Sequence, residues 1–243
     1  MPMYTEDFLI DSNWVDPFLD LSLPSLFRIL QTIATNGAEA IGAGKAETTD
    51  KGYFWVLTRM GVEINRMPKF LERIKVHTYP GEQLGFFYFR HFYAEDERGG
   101  ILFRVSSSWA LLEEKTRMVV MRSPFPFPFP KESHEGQLPR PGKLRTPEEG
   151  YEASTERIIT YSMCDLNGHL NNTRYLELIV DCKTKDFYKD HVPSSILINF
   201  EKEIMEQEKM DVCLREEGDA SFSVAGKVGE EERFLAKLSF RKR

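Results

Sequence analysis

The chain has 243 residues, of which 41% are hydrophobic and 29% charged, with a net charge of −6. That hydrophobic share belongs to packed proteins and excludes disorder as the ruling state. No apolar run approaches the ~18 residues of a membrane helix, and an acidic balance argues against a protein that coats phosphate backbones. Residues 1–11 carry Glu6, Asp7 and Asp11 and no basic residue, so they lack the basic start of a secretory signal and the arginine bias of a transit peptide. Cys164, Cys182 and Cys213 are far apart and form no CxxC. They imply a reducing compartment, here the cytoplasm, with no disulfide framework and no zinc finger. At ~100–200 residues per domain, the length fits one large domain or two small ones.

In chain order, the spacing of Leu26, Ile29, Leu30, Ile33 and Ile41 predicts a helix from Pro24 to Ile41. Pro24 suits its first turn, and Gly42 and Gly44 stop it. Strands are expected at Tyr53–Arg66, Arg73–Tyr79, Gln83–Ala94 and Ile101–Leu112, with Pro80-Gly81 as a break and Arg117–Met121 as a continuation. Seven of the 13 prolines fall between Pro124 and Pro147. The alternating Pro124–Pro130 run should be extended, with Phe125, Phe127 and Phe129 packed on the protein or docking a partner. Beyond it come a strand at Thr155–Met163, a helix from Asn172 to about Phe187, and strands at Ser195–Met205, Lys209–Glu216, Ala220–Val228 and Arg233–Arg241. Helix followed by antiparallel meander thus occurs twice, which predicts two α+β units, each burying one sheet face on its own helix. No strong residue-level repeat accompanies the repeated element order, so the duplication rests on element order alone.

The densest cluster of functional groups is Cys164-Asp165-Leu166-Asn167-Gly168-His169-Leu170-Asn171-Asn172-Thr173-Arg174-Tyr175. In extended backbone, Asp165, Asn167, His169 and Asn171 fall on one side. They lead into a helix whose first N–H groups have no internal partners, an arrangement that favours negative charge and suits an oxyanion. Asp, Asn and Gly are also turn formers, so a plain loop and helix cap is the rival reading. A metal site at Asp165 and His169 finds no second histidine cluster to complete it. Cys164 reads as a nucleophile beside a histidine or as a small buried residue.

Asp165-x-Asn167-x-His169-x-Asn171-Asn172, followed by Tyr175, resembles the catalytic segment of fatty acyl–acyl carrier protein thioesterases of plant plastids and bacteria. Two further stretches are similar to that family: Trp55-Val56-Leu57-Thr58-Arg59-Met60 with Glu63-Ile64-Asn65-Arg66-Met67-Pro68, and Phe200-Glu201-Lys202-Glu203. The resemblance covers roughly Tyr4 to Phe240. It implies a tandem (double) hotdog of the α+β class, two long helices each wrapped by an antiparallel sheet. The units would be 1–123, holding the acyl pocket, and 151–243, holding catalysis, with 124–150 as a proline-rich linker. It also implies hydrolysis of the thioester between a fatty acid and the phosphopantetheine arm of acyl carrier protein, without metal or other cofactor. Asp165, Asn167, His169 and Glu203 take the catalytic positions, and Asn171, Asn172, Trp55 and Arg59 substrate-binding ones. The chain departs from the pattern in two places. Ile204 stands where the family often has cysteine after the glutamate, which removes any scheme with that nucleophile, and no tryptophan follows Tyr175.

On this reading Glu203 or Asp165 acts as general base on a water, or Asp165 attacks directly. Asn167 and His169 orient the reacting groups, and amides near Asn171–Thr173 hold the oxyanion. Taken on pattern alone, Asn199, Glu201 and Glu203 share one strand face and read as solvent-facing. Acyl carrier protein is acidic, so docking calls for a local basic patch, for which Arg174, Lys183, Lys185 and Lys189 are the candidates. No nucleic acid and no membrane span are expected, and the chain would be a monomer (an internal pseudo-dimer) or a homodimer. The absent transit peptide favours a bacterial cytoplasmic member, or a mature form, over a plastid precursor. An acyl-coenzyme A thioesterase and a non-hydrolytic acyl-binding or dehydratase-like hotdog protein are the alternatives.

Overall fold

The computed structural model describes residues 3–121, 127 and 137–243. The long N-terminal helix, α1 (Leu23–Ala40), starts where the Ser22 side chain accepts the Ser25 amide, with Pro24 in its first turn, where proline's missing N–H costs nothing. Leu26, Ile29, Leu30 and Ile33 on its apolar stripe are fully buried, as their spacing predicts. The second helix differs from expectation. It is two short pieces, α2 (Tyr175–Val180) and α3 (Lys185–Asp190), separated where Thr184 turns extended. Lys183 lies in the break, packed over the Phe187 and Phe222 rings and paired with Glu216.

Among the described residues there are ten strands, in chain order β1 (Tyr4–Leu9), β2 (Tyr53–Ile64), β3 (Arg73–Leu84), β4 (Phe87–Asp96), β5 (Ile101–Glu113), β6 (Ala153–Ile158), β7 (His191–Phe200), β8 (Lys209–Glu216), β9 (Ser221–Val228) and β10 (Glu231–Lys242). They form one antiparallel sheet in the order β1-β3-β4-β5-β2-β7-β10-β9-β8-β6. The protein is therefore α+β, with a single large sheet in place of the two separate ones expected. The sequence of strands is the same in both halves: first, third, fourth, fifth, second. The two second strands, β2 and β7, pair with each other at the centre.

Of the anticipated meanders, β3-β4-β5 and β8-β9-β10 form, while β2 and β7 cross over to pair with β5 and β10 rather than with β3 and β8. Pro80-Gly81 does not end a strand. β3 runs through it with a register shift between Pro80 and Gln83, a bulge being where a residue lacking an N–H can sit. A side chain at Gly81 would come within 2.7 Å of the His91 ring. Residues 117–121 do not prolong β5 but fold back on it, Val119 opposite Leu112. Val62, Ile64, Phe103, Val105, Ile196, Ile198, Phe234 and Ala236 join the α1 and α2 side chains in one core.

The opposite sheet face carries residues 140–144 of the connection between the halves. Arg140 pairs with Glu82, Pro141 lies beside Gly61, and Leu144 packs against Leu235, Ala225 and Cys213. Asn199, read above as solvent-facing, is fully buried beneath it. Its Oδ1 accepts the Leu144 amide at 2.6 Å and its Nδ2 donates to the Gly142 carbonyl at 3.1 Å. Phe127 packs on Trp55, with ring centroids 5.4 Å apart; the prolines of the Pro124–Pro130 run, with Phe125 and Phe129, lie outside the described residues.

Candidate active site

The Asp165–Asn171 segment is a closed loop rather than an extended row. The Asp165 amide donates to the His169 carbonyl (2.8 Å), and the Gly168 amide to the Asp165 carbonyl (3.0 Å). The Asp165 side chain takes the Asn167 amide on Oδ1 at 2.8 Å, the turn an aspartate makes with backbone two residues on. Gly168 has φ 79°, which glycine adopts freely. The Leu170 amide then donates to the Ile204 carbonyl (2.8 Å), and His169 bridges Met205. This pins the loop to the turn that follows β7. Glu203 is in that turn, not on a strand, because β7 stops at Phe200.

The outcome is a meeting of His169 and Glu203, with Nε2 3.1 Å from Oε2. The His169 side chain is 14% exposed and that of Glu203 48%, so a sheltered imidazole faces a carboxylate open to solvent. Arg117 joins them from the turn after β5, with Nη2 3.1 and 3.0 Å from the two Glu203 oxygens. Nη2 is also 3.3 Å from His169 Nε2. With Nε2–H donating to Glu203, that last approach is a contact between two donors and leaves Nδ1 as the ring's acceptor. The sequence reading missed Arg117. Its one signal was a lone arginine in a polar turn, a pattern shared with any solvated hairpin.

Tyr175 lies beneath the site, buried and edge-on to Phe200 and Phe234. Burial, then the nearby Asp165 charge, holds its phenol well above the ordinary range, with Glu203 pushing the same way. Desolvation, then the Glu206 and Asp165 charges, push the Cys164 thiol up, the opposite of what activates a cysteine nucleophile. Ile204 is fully buried, so position 204 points into the core while Glu203 meets His169.

The amides anticipated as an oxyanion row are largely engaged. Asn171 N–H donates to Met163, and Thr173 N–H to the Asn171 side chain. Asn167 is exposed and Asn172 half-exposed beside the loop. Trp55 stands apart from the cluster, donating to the Ala43 carbonyl at 2.9 Å and packed edge-on against Tyr88. Arg59 also stands apart, over the Phe87 ring, opposite Asn199 in the β2–β7 register. Of the expected basic patch, Arg174 is paired with Glu177 and Lys183 with Glu216, while Lys185 and Lys189 are exposed on α3.

The same backbone is built twice. In the N-terminal half the Asp16 amide donates to the Asp20 carbonyl (2.8 Å) and the Leu19 amide to the Asp16 carbonyl (3.0 Å). Asp16 Oδ1 takes the Phe18 amide (2.8 Å), and Leu19 has φ 63°. Leu21 donates to Pro68 as Leu170 does to Ile204, and Ser22 to Trp14 as Asn171 does to Met163. Asp20 thus stands where His169 stands, Phe18 for Asn167 and Met67 for Glu203. A cavity of about 260 Å3 opens at this copy, lined among others by Phe18, Asp20, Met67, Val180, Tyr188 and Arg243.

Comparison with known proteins places the chain. The model of the Acyl-ACP thioesterase N-terminal domain matches residues 2–123 and that of the Acyl-ACP thioesterase C-terminal domain residues 150–241. Among solved structures, an acyl-ACP thioesterase from Bacteroides thetaiotaomicron is 24% identical with a TM-score of 0.88, covering 99% of this chain and 98% of that one. A 12:0-ACP thioesterase from Umbellularia californica is 20% identical with a TM-score of 0.87, covering 100% and 98%. The chloroplastic oleoyl-acyl carrier protein thioesterase 1 of Arabidopsis thaliana is 22% identical over 86% of this chain, which spans 62% of that relative's length. Matched in both halves and in the same order, this chain belongs to the acyl-ACP thioesterase family.

Proposed function

We propose that this protein hydrolyses the thioester joining a fatty acyl chain to the phosphopantetheine arm of acyl carrier protein, releasing free fatty acid and a free thiol. The observation that carries the reading is the His169–Glu203 pair, 3.1 Å apart beside the Asp165 loop, in a chain of this family. A carboxylate-oriented imidazole is the arrangement that makes a general base. The pair takes a proton from a water whose oxygen bonds to the carbonyl carbon. As the tetrahedral intermediate collapses, the C–S bond breaks and the thiolate leaves with that proton. The Asn167 and Asn172 side-chain amides supply N–H donors toward the carbonyl oxygen. Asp165 holds the turn that presents Asn167 and His169 and sets a negative charge beside them.

In this reading the fold is a double hotdog, with units at 1–123 and 151–243 joined by 124–150. The repeated strand order and the repeated loop support it. The acyl chain lies toward the N-terminal unit, where the half-buried Trp55 packs on the buried Tyr88, and acyl carrier protein is the partner. The test is thiol release from acyl carrier protein thioesters of short to long chains, set against coenzyme A thioesters of the same chains. A higher kcat/KM on the carrier protein is expected. Equal or higher rates on coenzyme A would favour that carrier, and no thiol release from either would end the hydrolase reading.

A further inference from the structure

We propose that Arg117 is a positioning residue lent by the N-terminal half, its guanidinium holding the Glu203 carboxylate against His169, so that the site is complete only across the junction of the halves. The inference rests on the reading of His169 and Glu203 as the reacting pair. A half-exposed glutamate has three rotatable bonds, and aiming it costs rotamer entropy unless something fixes it. Arg117 meets both of its oxygens, at 3.1 and 3.0 Å. The guanidinium is itself aimed, standing over the Phe54 ring at 5.2 Å.

The backbone beneath it is unusual. Arg117 has φ 57°, a left-handed conformation that a side chain makes unfavourable and that glycine would adopt freely. The turn enforces it, with Arg117 N–H donating to the Glu113 carbonyl at 2.8 Å and Glu113 N–H to the Met118 carbonyl at 3.0 Å. Such strain gathers where placement of a side chain matters.

The other half supplies an internal control. Arg243, at the end of β10, reaches back to the duplicate loop, 2.5 Å from Asp20 and over the Phe18 ring at 4.8 Å. Each half thus lends an arginine from beyond its last strand to the other half's loop. At one end the arginine meets an enclosed aspartate; at the other it meets the open glutamate beside the histidine.

The decisive variant is Arg117→Gly, which relieves the backbone and removes the guanidinium. Its Tm should equal or exceed that of the parent, while kcat falls on the order of 10²-fold, the scale of a ~1 Å misplacement at a reacting group, with KM within about twofold. Added guanidinium ion should restore part of kcat in Arg117→Gly and not in the parent, and Arg117→Lys should lie between. Arg243→Met should lower Tm with kcat unchanged. Parental kcat in Arg117→Gly, or a loss that guanidinium leaves untouched, overturns the proposal. If the parent turns over, Glu203→Gln does not, and Arg117→Gly runs at full rate, the positioning role fails and the hydrolase reading stands. If the parent releases no thiol, or Glu203→Gln runs at full rate, the reading itself falls and the proposal with it.

Discussion

The loop of residues 163–171 and the loop of residues 14–22 share their backbone hydrogen bonds almost distance for distance, yet carry different side chains. Asp16 and Asp165 both hold the turn through Oδ1, and Leu21 and Leu170 both dock it on the strand-end turn. Asn167, His169 and Glu203 occur in one copy only. Phe18, Asp20 and Met67 replace them in the other, and Asp20 is closed off by Lys69 and Arg243. The shared residues are therefore scaffold, and the residues that differ are where chemistry is to be sought. The aspartate belongs to both classes: its oxygen is scaffold in either copy, but only Asp165 shares its loop with a histidine.

The comparison can be broken most directly at the pair. Glu203→Gln and His169→Ala should each reduce turnover by about 10²–10⁴-fold, the usual contribution of a positioned base, with Tm nearly unchanged, as steady-state thiol release and thermal melts would show. Met67→Ala, its counterpart, should leave turnover alone. Next comes Asp165→Asn, which keeps the acceptor for the Asn167 amide and loses the charge. Its Tm should hold while turnover falls on the order of 10²-fold. Survival of turnover would move Asp165 wholly into the scaffold class. Asp20→Ala should do the reverse, costing about 2 kcal/mol of stability through loss of its charged partners with kcat per folded molecule intact, as denaturant unfolding would measure.

The smallest effect sharpens the comparison at Asp16. Burial raises its pKa above 3.8, against the Phe18 and Asp20 amides that lower it. A carboxyl whose pKa is raised on folding stabilises the fold in its protonated form, below its unfolded pKa, and loses that contribution as pH rises through the folded value. Asp16→Asn keeps the turn and abolishes the burial cost of the charge. It should raise Tm at pH 7, and the gain should vanish as pH falls below about 4.

Much of this was legible in the sequence where a local pattern carries its own physics. Leu26, Ile29, Leu30 and Ile33 gave α1 because helical spacing is a property of the segment itself. The Asp165–Tyr175 run and Glu203 stood out by resemblance. What was not legible depends on distant partners. Nothing in Tyr53–Ile64 says that it will pair with β5 and β7 and skip β3. Asn199 looked solvent-facing because its alternation was read without the segment that covers it. The repeated loop left two identities, Asp16 with Asp165 and Leu21 with Leu170, too few to notice although the backbone repeats. Arg117 had no motif, since a hairpin tip becomes meaningful only when the other half is opposite it.

The pairing of β2 with β7 bears on how the molecule could be divided. The central ladder, the shared core and the two exchanged arginines are all noncovalent, so the connecting peptide chiefly keeps the halves at high effective concentration. Separated, each half would display a long unpaired edge strand, a template for joining another chain. Two fragments cut between residues 121 and 137 should therefore recombine when expressed together, and should precipitate or pair with themselves when expressed apart.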